Sequence, residues 1–274
     1  MRCGVMRTIV HLSDIHFGQI ARSVIEPLVG TVGALQPDLV VVSGDLTQQA
    51  RRREFRAAKE FLLSLPRPQI VVPGNHDIPI WNPIVRFTAP LSRFKHYITR
   101  DLYPFYEDDE IAVIGINTAR SRATKYGHIN PTQVRVMRER LTQVSSNKIK
   151  IVVTHHPFDL PEGYRNGRQI VRKSRRAMAV LAECGVDLFL AGHLHRAFVG
   201  HTAERYNIEN FGAVIVQAGT IAEHHTPQQT GFNVIECDGD IIHVTHFEWD
   251  TKHNGFQAGE KQQFIDSPSG WRRD

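Results

Sequence analysis

Cysteine is scarce in this chain of 274 residues: Cys3, Cys184 and Cys237 are odd in number and show no Cys-x-x-Cys spacing. Neither a disulfide framework nor a thiolate zinc site is expected, and a reducing cytoplasm is the compartment that fits. Long hydrophobic runs are missing too. None approaches the roughly 18 residues that span a bilayer, and Met1 to Met6 lack the apolar segment of a secretory signal. Met6 serves as well as Met1 for a translation start, because the first strand begins directly after it. Charge of one sign does not dominate either: 33 Lys and Arg against 28 Asp and Glu leave a formal +5, which permits an anionic partner without requiring one. With 41% hydrophobic and 22% charged residues the composition is that of an ordinary globular protein. No internal repeat divides it. The expectation is one domain over residues 1–250 and a polar tail or strap over 251–274, where Gly255, Gly259, Pro268 and Gly270 interrupt any apolar pattern.

What is present is a recurring construction. Val71-Val72-Pro73-Gly74-Asn75-His76-Asp77 runs β-forming residues into a glycine turn that ends in an amide, an imidazole and a carboxylate. Ile9 to His16, Leu39 to Asp45, Ile149 to His156 and Leu188 to His195 repeat the plan. Continuous apolar runs of this length read as strands buried on both faces. Five strand ends thus carry Asp, His or Asn in the same sense, and parallel strands bring those ends together.

Between the strands, Pro27 suits the first turn of a helix through about Gln36, with Leu28, Thr31, Val32 and Leu35 at helical spacing. Phe55, Ala58, Phe61, Leu62 and Leu65 form a second helical stripe behind a basic opening, Arg51-Arg52-Arg53. This β-α-β-α-β order predicts right-handed crossovers in a parallel sheet. Residues 78–109 mix four prolines with aromatic residues and read as a loop-and-helix insertion over the strand ends, placed either to shape a substrate pocket or to pack as a structural excursion. Helices are expected over Pro131 to Leu141 and Ala177 to Cys184. Strands are expected over Ile111 to Ile116, Ala197 to His201, Ala213 to Gln217, Phe232 to Cys237 and Ile241 to Phe247, with an Asp238-Gly239 hairpin turn.

Imidazole, carboxylate and amide oxygen without thiolate suit Mn, Fe or Zn in hydrolytic roles. Asp14 and His16 can share one ion from a short turn beyond their strand. His193 and His195 can do the same or diverge to two ions. The motifs Asp14-Ile15-His16, Gly44-Asp45, Gly74-Asn75-His76-Asp77, His155 and Gly192-His193-Leu194-His195 resemble, in order, the five motifs of the calcineurin-like metallophosphoesterase superfamily, over about residues 8 to 200. Ser-Asp-Ile-His and His155-His156-Pro157 look most like its class III branch of bacterial cyclic-nucleotide and glycerophosphodiester phosphodiesterases. The resemblance implies an α/β sandwich of two mixed β-sheets flanked by helices, with the metal site at the strand C-terminal ends and residues 1–250 as the catalytic domain.

By the same resemblance, Asp14, His16, Asp45 and His195 would hold one metal ion and Asp45, Asn75, His155 and His193 a second, with Asp45 bridging. A bridging hydroxide would attack phosphorus in line, and His76 would contact the phosphoryl group or protonate the leaving oxygen. Asn75 and His76 would bind substrate. Where many relatives carry an acidic residue to orient the catalytic histidine, this chain has Gln48, whose amide would stabilise an imidazolium less. His156 is expected beside the site as a second-shell or pocket group, because neighbouring strand side chains point apart. His128 and Glu223-His224-His225 are further candidates to reach the pocket.

The implied activity is dimetal hydrolysis of a small anionic phosphodiester, a 3′,5′-cyclic nucleotide such as cAMP being the first guess. The alternative is a pyrophosphohydrolase of a UDP-linked lipid or nucleotide diphosphate, for which the basic Arg165 to Arg176 stretch would suit an extra phosphate. A nuclease finds no extended nucleic-acid channel or stacking motif here. A non-catalytic scaffold of the same fold is disfavoured by the complete ligand set. Neither the metal pair nor the oligomeric state is legible.

Overall fold

Apolar residues occupy both faces of the central strands, so each strand needs a covered layer on either side, and the chain supplies four layers. The computed structural model describes residues 4–123, 125–160, 170–172, 174–202, 206, 208–209, 211–222 and 230–274. A seven-stranded sheet has the order β13-β12-β11-β10-β1-β2-β3, and a six-stranded sheet has the order β4-β5-β6-β7-β9-β8. In the first, β1 (Arg7–Leu12), β2 (Leu39–Val42) and β3 (Gln69–Val71) are parallel, and β10 (Gly231–Asp238) joins β1 antiparallel. In the second, β5 (Ile111–Ile116), β6 (Ile149–Thr154), β7 (Leu188–Ala191) and β9 (Val214–Gln217) are parallel, with β4 (Phe105–Glu107) and β8 (Phe198–His201) antiparallel at the edges. Both sheets are mixed, as the five-motif resemblance implied.

The sheets face each other across Ile9, Leu39, Val41, Ile70 and Val72 on one side and Val113, Ile151, Val153, Leu190 and Val216 on the other, all buried. Period-two alternation sends Val10, Leu12, Val40 and Val42 to the opposite face, under α1 (Arg22–Ala34) and α2 (Arg52–Ser64). The second sheet's outer face packs on α5 (Pro131–Leu141) and α6 (Ser174–Glu183) through Met137, Leu141, Met178 and Leu181. Asn130 caps α5: its side chain accepts the Gln133 N–H at 2.9 Å, and the Gln133 side chain accepts the Asn130 N–H at 3.1 Å.

Three expectations change. Helix α1 starts five residues before Pro27, because Val24 continues the buried Val24, Leu28, Val32 stripe by one turn, and its burial offsets the hydrogen bond Pro27 cannot make. Helix α6 starts at Ser174, before Ala177. The polar stretch over 251–274, expected as a tail or strap, is built into the first sheet. The first-sheet ladder continues through β11 (Ile241–Asp250), β12 (Gly255–Ile265) and β13 (Arg272–Arg273). Most of the middle of β12 is exposed, so backbone pairing holds a polar segment that shows no hydropathy alternation. Residues 78–109 fold as the short helices α3 (Pro83–Thr88) and α4 (Ser92–Tyr97) followed by β4.

Trp271 is only 4% exposed and lies between the sheets. Its indole N–H donates to Asp187 Oδ1 at 2.9 Å, and its backbone N–H donates to the Gly212 carbonyl at 2.7 Å. Trp271→Ala should therefore cost about 3 to 5 kcal/mol in urea unfolding, the range of a buried large-to-small change. The exposed Lys252→Ala should stay within about 0.5 kcal/mol. Equal, small effects would mean that residues 266–274 are only appended.

Candidate metal centre

Each motif begins where a parallel strand ends: β1 at Leu12, β2 at Val42, β3 at Val71, β6 at Thr154 and β7 at Ala191. Immediately beyond β1, β2 and β7 the backbone turns left-handed. Eight non-glycine residues among those described have positive φ, and five belong to the motifs: Asp14 (52°), His16 (51°), Asp45 (50°), His193 (76°) and His195 (54°). Each such residue costs about 1 to 2 kcal/mol against its ordinary conformation. The conformation ends the strand's alternation: it turns Asp14 and His16 toward one point, whereas His193 and His195 diverge to different clusters. Strain of this kind persists only where the surroundings fix it.

Close backbone approach fixes it here. A Cβ on Gly74 would sit 2.1 Å from Asp45 Oδ1, and one on Gly192 would sit 1.8 Å from Ser13 Oγ and 2.4 Å from Asp14 Oδ2. Asp77, wholly buried, closes the loops after β2 and β3 by accepting the Gly74 N–H at 2.9 Å, the Thr47 N–H at 3.0 Å and the Thr47 hydroxyl at 2.9 Å. Burial and the nearby Asp45 charge still push Asp77 up to about 6. Across the sheets, the His193 N–H donates to Asp14 Oδ2 at 2.9 Å and the His155 Nδ1–H donates to the Ser43 carbonyl at 2.8 Å.

Asp14, His16, Asp45 and His195 offer ligand atoms that all lie within 4.8 Å of one another. Within this cluster Asp14 Oδ1 is 3.1 Å from His195 Nε2 and 3.8 Å from His16 Nε2, and the two Nε2 atoms are 3.1 Å apart. Donors bound at about 2.0 to 2.2 Å from one cation lie about 3 to 3.5 Å from each other; two sides of the triangle fall in that range and the third, at 3.8 Å, is slightly longer. In the second cluster His155 Nε2 is 3.2 Å from Asp45 Oδ2 and 3.1 Å from Asn75 Oδ1. His155 thus turns one nitrogen to a carbonyl and the other to two oxygens, the arrangement of a ligating imidazole. Asp45 belongs to both groups.

His156 departs from expectation. It offers a ring nitrogen within 4.8 Å of ligand atoms of His155 and His193. The strand stops at Thr154, so the pleat no longer forces 155 and 156 apart; their rings stand 4.9 Å from each other at 84°. Thr118 Oγ1 lies 2.9 Å from His156 Nδ1, while His156 Nε2 is buried with no hydrogen-bond partner. No pattern in the sequence marked Thr118.

The Gln48 expectation changes as well. The Nδ1–H of His76 donates to the backbone carbonyl of Gln48 at 2.8 Å, while the Gln48 side-chain oxygen is buried without a partner. That bond leaves Nε2 of His76 for chemistry. The His76 backbone N–H donates to Asp45 Oδ1 at 2.8 Å, and the ring stands edge-on to His16 at 4.9 Å. His128 forms a backbone bridge to Arg172, next to Gly127, where an added Cβ would meet the His156 Cβ at 2.7 Å. Glu223, His224, His225, Arg165, Arg168 and Lys173 lie outside the described residues. Arg172 stacks on Tyr126 at 4.7 Å, and Arg175 and Arg176 are exposed on α6.

The donor set suits a cation. Burial opposes the charge of Asp14 and Asp45, yet His195 holds the first and His155 the second below the usual carboxylate range. Against its own burial His155 is raised to about 9, chiefly by Asp45. Burial lowers His16 and His193 to about 4, leaving both neutral at pH 7 with lone pairs to give. Asp14 Oδ1 is buried without a hydrogen bond, a negative oxygen that two imidazole nitrogens face but do not saturate.

A family model described as calcineurin-like phosphoesterase matches residues 7–197. A probable glycerophosphodiester phosphodiesterase of Arcobacter nitrofigilis is 25% identical over 162 residues, which are 59% of this chain and 58% of that protein, so the chain spans little more than half of that relative. A probable cyclic nucleotide phosphodiesterase of Rhodopseudomonas palustris is 21% identical over 263 residues, covering 88% of this chain and 93% of the relative. Among solved structures, a dimetal phosphatase from Danio rerio superposes with a TM-score of 0.66 at 14% identity, over 95% of this chain and 99% of that one. That likeness is one of fold.

The glycine packing makes a prediction that needs no substrate. Gly192→Ala should weaken Mn²⁺ binding at least about tenfold, ~1.4 kcal/mol, because its Cβ displaces the Asp14 carboxylate. Gly33→Ala, with open space around its Cβ, should leave binding unchanged. Titration calorimetry of both variants checks this; equal affinities would mean that the close approach at Gly192 does not set the site.

Proposed function

Since this chain belongs to the calcineurin-like phosphoesterase family, we propose that it is a metal-dependent phosphoester hydrolase that cleaves small phosphodiesters, with a 3′,5′-cyclic nucleotide as first candidate. The observation that carries the reading is the pair of clusters meeting at Asp45, together with the absence of Arg and Lys from the five motifs. The relatives named as cyclic nucleotide and glycerophosphodiester phosphodiesterases support it.

Asp14, His16, Asp45 and His195 hold one divalent ion and Asp45, Asn75, His155 and His193 the other, in the proposed centre. His156 offers a further nitrogen on the second side. Two such ions supply an activated water and offset the charge of the phosphoryl oxygens when bound. The protein's own work is positional. Asp45 is pinned by the His76 N–H on one oxygen and faces His155 with the other, so bridging asks for no rearrangement of its loop. Asn75 and His76 follow each other on the loop after β3 and contact the phosphoryl group. His76, with Nδ1–H committed to the Gln48 carbonyl, offers Nε2 to the leaving oxygen, and in its imidazolium form donates the proton there.

Arg120 is close enough to act electrostatically on His156, but its guanidinium donates to the Asn117 and Ala119 carbonyls at 3.2 and 2.9 Å and to Gln133. It holds a loop. A diester's single charge suits a site whose motifs carry no fixed cation, whereas a monoester dianion gains from additional ones.

Asp45→Asn should reduce turnover of bis(p-nitrophenyl) phosphate by at least about a thousandfold, ~4 kcal/mol, and lower metal content at both positions; near-normal turnover with full metal would remove the bridge. A second comparison isolates His76. His76→Ala should cost more on a cyclic nucleotide, whose ribose alkoxide needs a proton, than on an aryl diester, whose leaving oxygen does not. Equal losses would assign His76 to phosphate binding alone.

A further inference from the structure

Beside the candidate centre, one loop presents three successive carbonyls to three side chains. The carbonyl of Gln48 takes His76 Nδ1–H at 2.8 Å, that of Gln49 takes the Trp81 indole N–H at 2.8 Å, and that of Ala50 takes the Arg93 guanidinium at 2.6 Å. Ala50 pays for this with a left-handed φ of 52°. Arg51 and Arg52 follow directly and open α2. The result is a cleft of about 440 Å³ lined by Arg51, Arg52, Trp81 and Arg93. Arg52 and Arg93 also line an adjoining cleft of about 410 Å³ with His96 and Tyr97.

The charge of this place is one-sided. No carboxylate lines either cleft, and among the described residues none of Arg51, Arg52 and Arg93 has a salt-bridge partner. The larger hollow between α1 and α2 differs: there Glu26, Glu54 and Glu60 accompany Arg22 and Arg53. Glu54 is bound to the Gln49 and Arg51 backbone N–H groups at 2.8 and 3.1 Å and forms no ion pair with the three guanidiniums; one of these stacks 4.8 Å from the centre of the Trp81 ring, and together they can receive an anion. The N-terminus of the 13-residue helix α2 is already capped by Glu54, which takes the Arg51 N–H at 3.1 Å, so the guanidiniums and not the helix end supply the positive charge. One three-residue loop, 48–50, bonds His76, Trp81 and Arg93, and from Gln48 to Arg51 the chain can extend no more than about 11 Å, so the cleft adjoins the loop that holds His76. A nucleotide arm spans such a length.

Resting on the diesterase reading of the neighbouring centre, we propose that Arg51, Arg52, Arg93 and Trp81 form a second phosphate subsite, which selects substrates carrying another phosphate one nucleoside away from the phosphoryl group at the metal centre. A cyclic nucleotide with a single phosphate fills the centre and leaves this subsite empty. A phosphorylated nucleotide diester fills both, with its second phosphate on the guanidiniums and a planar base beside the exposed indole. The basic Arg51-Arg52-Arg53 run and the insertion over 78–109 thereby gain one purpose: the run brings cations, and the insertion brings Trp81 and Arg93 against them.

The test is equilibrium binding to the metal-loaded full chain, comparing thymidine 3′,5′-bisphosphate with thymidine 5′-phosphate. The wild type should bind the bisphosphate at least about tenfold more tightly, ~1.4 kcal/mol, and Arg51→Gln/Arg52→Gln should bring the ratio to about one. Both arginines are exposed, so the double variant should keep its thermal midpoint. Trp81→Ala supplies a second variant that leaves the helix untouched and should lower the ratio less. A ratio near one in the wild type, or one that survives the double substitution, overturns the subsite. Turnover of bis(p-nitrophenyl) phosphate is followed in parallel. If it is absent while the binding ratio and its loss hold, the subsite stands and the diesterase reading falls.

Discussion

Two buried carboxylates that need a cation shape this end of the molecule. Asp14 and Asp45 are essentially without solvent, and ligand atoms of the two lie within 4.8 Å of each other. At that separation and an effective dielectric of about 20, their repulsion is of the order of 3.5 kcal/mol, on top of several for the lost hydration of each. Imidazoles relieve part of this, His195 for Asp14 and His155 for Asp45. Left-handed residues, close-packed glycines and the Asp77 hydrogen bonds all serve to hold those groups together. A divalent ion in the same place would supply the missing charge.

That constraint explains why the fold takes this form. Sheets pair by backbone bonds and pack by apolar faces, and neither interaction supplies partners for two neighbouring like charges. The charge is therefore confined to the loops just past the strands' C-terminal ends, where β1, β2 and β3 of one sheet meet β6 and β7 of the other. Because the two sheets contribute different members of each cluster, the centre also ties the layers together: His193 of one sheet's loop donates to Asp14 of the other's, and His155 to Ser43.

Much of this was legible from residues alone, since buried strands write themselves as Val-Ile-Leu runs and the motifs sit at their ends. The illegible parts share a cause, namely that backbone geometry overrode side-chain pattern. Polar β12 pairs through its backbone with no alternation to announce it. The loss of alternation after Thr154, which brings His156 beside His155 and His193, follows from where a strand stops. Gln48 was read for its amide, yet its main-chain carbonyl is what holds His76. A carbonyl belongs to every residue, so no residue type could have signalled it.

In the proposed centre Asp45 would be shared by two ions. Electron paramagnetic resonance of the manganese-loaded protein tests it most directly, because two Mn²⁺ bridged by a carboxylate at about 3.5 to 4 Å are exchange-coupled. The account predicts two manganese ions per chain and a coupled multiline spectrum that collapses to uncoupled signals in Asp45→Asn. Two ions per chain with only uncoupled six-line signals in the wild type, or a single bound ion, would contradict it.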